Sequence, residues 1–156
     1  VCYSFSKSLS LPGERLGYVL VPKQVTDADA VYAATAGAGR SQGYVNAPSL
    51  FQRVAAECCD LTADIGVYER NCALLTDGLR EMGYHVVQPG GAFYLFPRSL
   101  EPDDMAFSER AKKFDLLLVP GSGFGAPGHF RIAYCVQTEM IERALPRFKA
   151  LADSYQ

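Results

Sequence analysis

Ser4-Phe5-Ser6-Lys7, followed across a turn by Pro12-Gly13-Glu14-Arg15-Leu16-Gly17-Tyr18, is the stretch on which the reading of this chain depends. It sets one lysine among small hydroxyl residues and an arginine eight positions later. A lysine that attacks an aldehyde must shed its proton, most readily where its charge is poorly solvated. Arginine presents a planar fork that matches a phosphate, and serine hydroxyls add contacts to the same group. Amine, fork and hydroxyls within twelve residues suit pyridoxal phosphate. The same residue types also occur on solvated turns. Serines at 4, 6, 8 and 10 equally fit the polar face of an exposed strand.

Two later segments join this one in resembling a single family. Ser4 to Tyr18 resembles the S-x-S-K-x(7)-R-x-G-Y motif of class I and II aminotransferases, the fold-type I pyridoxal phosphate enzymes related to aspartate aminotransferase. Pro89-Gly90-Gly91-Ala92-Phe93-Tyr94-Leu95-Phe96 is similar to the family's P-x-G-A-F-Y-L-F strand. Pro120-Gly121-Ser122-Gly123-Phe124-Gly125, then Gly128-His129-Phe130-Arg131-Ile132-Ala133-Tyr134, is similar to its P-G-x-x-F-G…R-I-A-Y segment.

The resemblance implies an α/β fold in two parts. Residues 1–61 are expected to be the last part of the large cofactor-binding domain. Residues 62–156 are expected to be a connecting helix and the small C-terminal α/β domain. In such enzymes the lysine lies well past the middle of the chain, whereas here it is the seventh residue and no initiator methionine precedes it. The expectation is therefore the C-terminal portion of a longer enzyme, inactive by itself. The groups that anchor the pyridine nitrogen, the ring hydroxyl and the rest of the phosphate would lie upstream.

Site roles carry over residue by residue. Lys7 resembles the lysine that bonds to pyridoxal phosphate and moves the substrate proton; its bland alternative is a surface lysine. Ser4, Ser6 and Arg15 match positions that hold the cofactor phosphate. Arg131 resembles the arginine that grips the α-carboxylate, against the alternative of a structural ion pair. Phe93 matches an aromatic near the active site, although a strand Phe is usually core. Arg40 lies near the region where aspartate aminotransferases send an arginine into the neighbouring subunit's site, but its spacing from Tyr44 and Asn46 does not match that pattern cleanly. Amino acid and 2-oxo acid substrates and a homodimer are implied. A carbon-sulfur β-lyase and the aminotransferase-like ligand domain of a transcription regulator share these motifs and stay open.

Composition bounds the rest. A chain of 156 residues with 49% hydrophobic and 21% charged residues can bury a core and is not a disordered tail. A net charge of -2 without a basic run points to neither nucleic acid nor an anionic membrane. No apolar run approaches the roughly 20 residues of a membrane span. Five cysteines without C-x-x-C spacing argue against a disulfide framework or a metal site, and a cytoplasmic setting is expected.

Periodicity predicts the elements. Strands are expected over residues 1–6 and 16–21, around a lysine loop. A helix capped by Thr26 or Asp27 is expected to run towards Gly37, and another over 49–60. Ile65, Tyr68, Cys72, Leu75, Leu79 and Met82 form one helical stripe, with Thr62 as cap and Gly83 as stop. Strands over 84–87, 92–96, 116–119 and 130–136 and a helix over 103–114 follow. Thr138 is expected to cap a last helix with Pro146 inside, where an interior proline costs about 3 kcal/mol.

Overall fold

The computed structural model describes all residues, Val1–Gln156. The chain divides into two compact units, Val1–Ala63 and Asp64–Gln156.

In the first unit, β1 (Cys2–Ser4) pairs antiparallel with β2 (Gly17–Val19), setting Ser4 opposite Gly17. A Cβ on Gly17 would collide with the Tyr3 carbonyl, so only glycine allows this approach. Tyr3 stacks on Tyr18 at 5.2 Å and meets Phe5 edge-on at 5.3 Å. The expected strand over 1–6 ends at Ser4. Its hydroxyl accepts from the Ser6 N–H at 3.2 Å and caps a short helix, α1 (Phe5–Ser8). Lys7 thus stands on a helical turn, not in a loop. Helix α2 (Ala28–Ser41) runs on past Gly37, and Asp27 at its start makes no side-chain cap bond. Helix α3 (Ser49–Cys58) ends two residues before Asp60.

The second unit orders α4 (Ile65–Glu81), β3 (Tyr94–Leu95), α5 (Asp104–Lys112), β4 (Val119–Pro120), β5 (Phe130–Ala133) and α6 (Thr138–Asp153). The sheet is antiparallel, in the order β3-β5-β4. The stripe on α4 buries Cys72, Leu75 and Leu79 against a core that includes Phe107, Phe130, Phe148 and Leu151. Ile65 lies outside it, 58% exposed. Asp64, not Thr62, caps α4, its carboxylate accepting from the Gly66 N–H at 3.0 Å. Gly83 follows the helix in a left-handed conformation, φ +89°.

Residues 84–87 form no strand. Their alternation survives, with Tyr84 and Val86 buried and His85 and Val87 exposed. Arg80 donates to the Val86 carbonyl at 2.9 and 3.2 Å, and the Arg98 N–H donates to the His85 carbonyl at 3.0 Å. Strand β5 stops at Ala133 because the buried Asn71 amide donates to the Tyr134 and Val136 carbonyls, at 3.0 and 2.8 Å. Gln137, not Thr138, occupies the cap position of α6. Pro146 does not break that helix. Pro146 and Glu142, whose carbonyl it leaves without a helical partner, are both exposed, while Phe148 and Leu151 beyond it are anchored in the core.

Candidate active site

Local chemistry brings Ser4, Ser6 and Lys7 together on one turn of the first unit. Besides accepting from the Ser6 backbone, Ser4 Oγ donates to Ser6 Oγ at 2.9 Å. Ser6 is buried, whereas Ser4 and Lys7 are exposed. A hydrogen bond of 3.0 Å from the Phe5 N–H to the Leu16 carbonyl closes the base of the loop that follows. Arg15 lies in that loop with φ +54°. A non-glycine residue there carries about 1–2 kcal/mol of backbone strain, which marks it for a functional reading. Its Nη1 donates to the Pro12 carbonyl at 2.7 Å. That bond uses one of the guanidinium's five donors.

This donor set fits pyridoxal phosphate. By residue type, a primary amine suits the aldehyde, and a guanidinium and two hydroxyls suit the phosphate.

Arg131 belongs to the second unit, on β5. Its guanidinium carbon lies 4.7 Å from the centre of the Tyr94 ring and 4.5 Å from that of Phe124. Two aromatic faces therefore hold the half-buried cation. The ion pairs of this unit are Arg110–Glu101, Lys112–Glu109, Arg147–Asp115 and Lys149–Asp153, so Arg131 has no acidic partner among them. The ion-pair alternative is thus not what is observed. A guanidinium whose central carbon lies over aromatic rings can still offer N–H donors to a carboxylate.

Phe93 is buried and packs on Tyr68 and Tyr94 at 6.2 and 4.7 Å. Arg40 is exposed near the end of α2. The His129 ring stacks on Phe96 at 5.8 Å.

Sequence reasoning missed Tyr94 and Phe124 as partners of Arg131, and it missed Asp104. Asp104 is 3% exposed, and its carboxylate accepts from Ser122 Oγ and the Ser122 N–H, each at 2.6 Å, and from the Gly128 N–H at 3.4 Å. The Ser122 hydroxyl first, and then its backbone N–H, hold this carboxyl below its usual range. The available signal was an Asp directly after the cap residue Asp103, ahead of a glycine-rich loop with donors to offer.

Comparison with known proteins identifies the family. A family model described as "Aminotransferase class I and II" matches residues 1–148. The chain belongs to that family. It is 30% identical over 148 residues to an aspartate/prephenate aminotransferase of Thermus thermophilus, covering 92% of this chain and 38% of the relative. It is 33% identical over 153 residues to an aromatic-amino-acid aminotransferase of Thermococcus litoralis, covering 93% and 39%. The structure of an aminotransferase from Eubacterium rectale superposes with a TM-score of 0.85 at 54% identity, covering the whole of this chain and 39% of that one. The fold is thus that of fold-type I aminotransferases. The chain spans well under half the length of the relatives it matches.

Proposed function

We propose that the full-length protein is a pyridoxal phosphate-dependent aminotransferase that exchanges an amino group between an amino acid and a 2-oxo acid. The observation that carries this reading is Arg131, a guanidinium over the Tyr94 and Phe124 rings without an acidic partner among the ion pairs of its unit. Its fork pairs with an α-carboxylate and fixes the orientation of the bond to be broken at Cα. Arg15, with Ser4 and Ser6, holds the cofactor phosphate. Lys7 Nζ would hold the cofactor aldehyde; once the substrate amine has displaced it, the freed Nζ would take the proton from the substrate Cα and return it at another carbon. When bound, the cofactor supplies an electron sink that makes the Cα–H bond acidic.

The relatives' names, aspartate/prephenate and aromatic-amino-acid aminotransferases, favour acidic or aromatic amino acids as substrates. A homodimer is proposed, supported by α2, which buries none of its residues and exposes Val31 and Tyr32. A cytoplasmic setting is supported by five free cysteines. The test is borohydride reduction with pyridoxal phosphate, followed by peptide mapping. Stoichiometric, phosphate-dependent labelling of Lys7 is expected. Scattered or absent labelling of the full-length protein overturns the reading.

A further inference from the structure

We propose that Asp104 is a positioning residue for substrate carboxylate binding: it fixes the loop of residues 121–128 so that Phe124 backs the Arg131 guanidinium. The inference rests on the reading of Arg131 as the group that grips the α-carboxylate.

Asp104 binds both ends of this loop, Ser122 through backbone and hydroxyl and Gly128 through backbone. The loop needs such an anchor. It contains four glycines, of which Gly125 and Gly128 have φ of +73°, so its own backbone is permissive. Phe124 is 51% exposed and meets Phe96 edge-on at 6.1 Å, so burial alone does not fix its ring. Its backbone bonds, between Gly121 and His129, between Ala126 and Gly121 and between Gly125 and Ser122, close the loop on itself, and the Ser99 N–H donates to the Gly128 carbonyl at 3.0 Å; none of them reaches α5. The buried carboxylate of α5 ties the loop to the core, through charge-assisted bonds stronger than neutral ones. Phe124 then carries that placement to Arg131 at 4.5 Å. Without the anchor, Phe124 shifts, one face of the guanidinium hydrates, and the fork loses its fixed direction. Asp104 touches neither substrate nor cofactor in this scheme. It acts through the loop.

The test compares two substrate pairs in the full-length protein: L-phenylalanine with 2-phenylethylamine, and L-alanine with ethylamine. Each amine lacks only the α-carboxylate. Asp104→Asn is expected to raise KM for the amino acid roughly tenfold or more, as a small misplacement of a binding group does. It should leave kcat/KM for the amine unchanged. Ser122→Ala, which keeps the backbone donor, should show the same split at smaller size, and it decides the matter if Asp104→Asn does not fold. Phe124→Ala should match Asp104→Asn, and the double variant should add little, because both act at one step. An equal loss for amino acid and amine overturns the proposal by showing a general structural role. No loss for either overturns it as well. Arg131→Ala separates the two layers: if it does not discriminate amino acid from amine, the reading of Arg131 itself fails. If it does and Asp104→Asn does not, only the role of Asp104 falls.

Discussion

Thr138 donates a hydrogen bond of 2.7 Å to Asn71, fastening the first turn of α6 to the middle of α4. Asn71 is fully buried, and its amide nitrogen also holds the Tyr134 and Val136 carbonyls. One side chain thus ends β5 and sets the start of the last helix. Asn71→Ala strands two carbonyls and a hydroxyl, where each buried orphan costs about 1–3 kcal/mol. Partial access of water to Val136 and Thr138 lowers the sum, and a loss of about 3 kcal/mol is expected. Urea unfolding followed by circular dichroism checks it. A loss below about 1 kcal/mol would show that Asn71 is not the fastening.

Gly121 and Gly123 offer a matched pair of substitutions. A Cβ on Gly121 would lie 2.7 Å from the His129 carbonyl oxygen and closer still to that of Ala126, both backbone atoms unable to step aside. Gly121→Ala should destabilise by about 2 kcal/mol through overpacking. A Cβ on Gly123 would meet nothing within 4 Å, so Gly123→Ala should stay within about 0.5 kcal/mol. Melting temperatures of the two variants decide between steric and merely conformational roles for these glycines.

What was legible in the sequence follows the range of each interaction. Lys7, Arg15 and Arg131, whose site roles are proposed, stand out in the sequence because they sit in motifs. The apolar face of α4 was legible because helical period is written in consecutive turns. Asn71 sits beside Cys72 on the same face, but a count of apolar residues passes over it. Its partner Thr138 is 67 residues away. Asp104 is silent for the same reason, since its donors come from a loop 18 and 24 positions on. The strand expected to run through Ser6 failed because alternation was weighed above the capping power of Ser4. Phe124 was visible within a motif, but its place beside Arg131 depends on how β4 and β5 are joined.

The ionisation of Asp104 should be visible in the pH dependence of stability. Its folded pKa is lowered, so the unfolded chain takes up a proton first, near pH 3.9. The stabilisation is therefore fully present above that pH and is lost as pH falls through the lower folded value. Unfolding free energies of wild type and Asp104→Asn, measured from pH 7 to 3, should differ by a constant amount down to about pH 4 and converge below it. A gap that persists unchanged to pH 3 would mean that charge contributes nothing at this position.

Backbone strain at Arg15 predicts a trade between stability and cofactor binding. Glycine relieves about 1–2 kcal/mol of left-handed strain but adds about 0.5–1 kcal/mol of unfolded-state entropy. The exposed bond to Pro12 contributes little against these. Arg15→Gly should therefore be neutral or more stable by up to about 1 kcal/mol, while binding pyridoxal phosphate more weakly in the full-length protein. Affinity for pyridoxal, which lacks the phosphate, should not change. Equal weakening for both ligands would remove Arg15 from the phosphate site.

Arg131→Lys tests whether charge alone is enough. Lysine keeps the positive charge but loses the planar fork and the stacking surface that Tyr94 and Phe124 contact. A compact ammonium pairs with a carboxylate through single bonds whose direction is free to wander. If bidentate geometry is what the two rings preserve, the full-length variant should show a KM for amino acids raised by roughly tenfold or more. Its affinity for pyridoxal phosphate should be unchanged, because the proposed cofactor contacts are Lys7, Ser4, Ser6 and Arg15. Steady-state kinetics beside a cofactor titration measure both quantities. Wild-type KM in the lysine variant would mean that the sandwich serves the packing of β3 and β5, and that the carboxylate is held elsewhere.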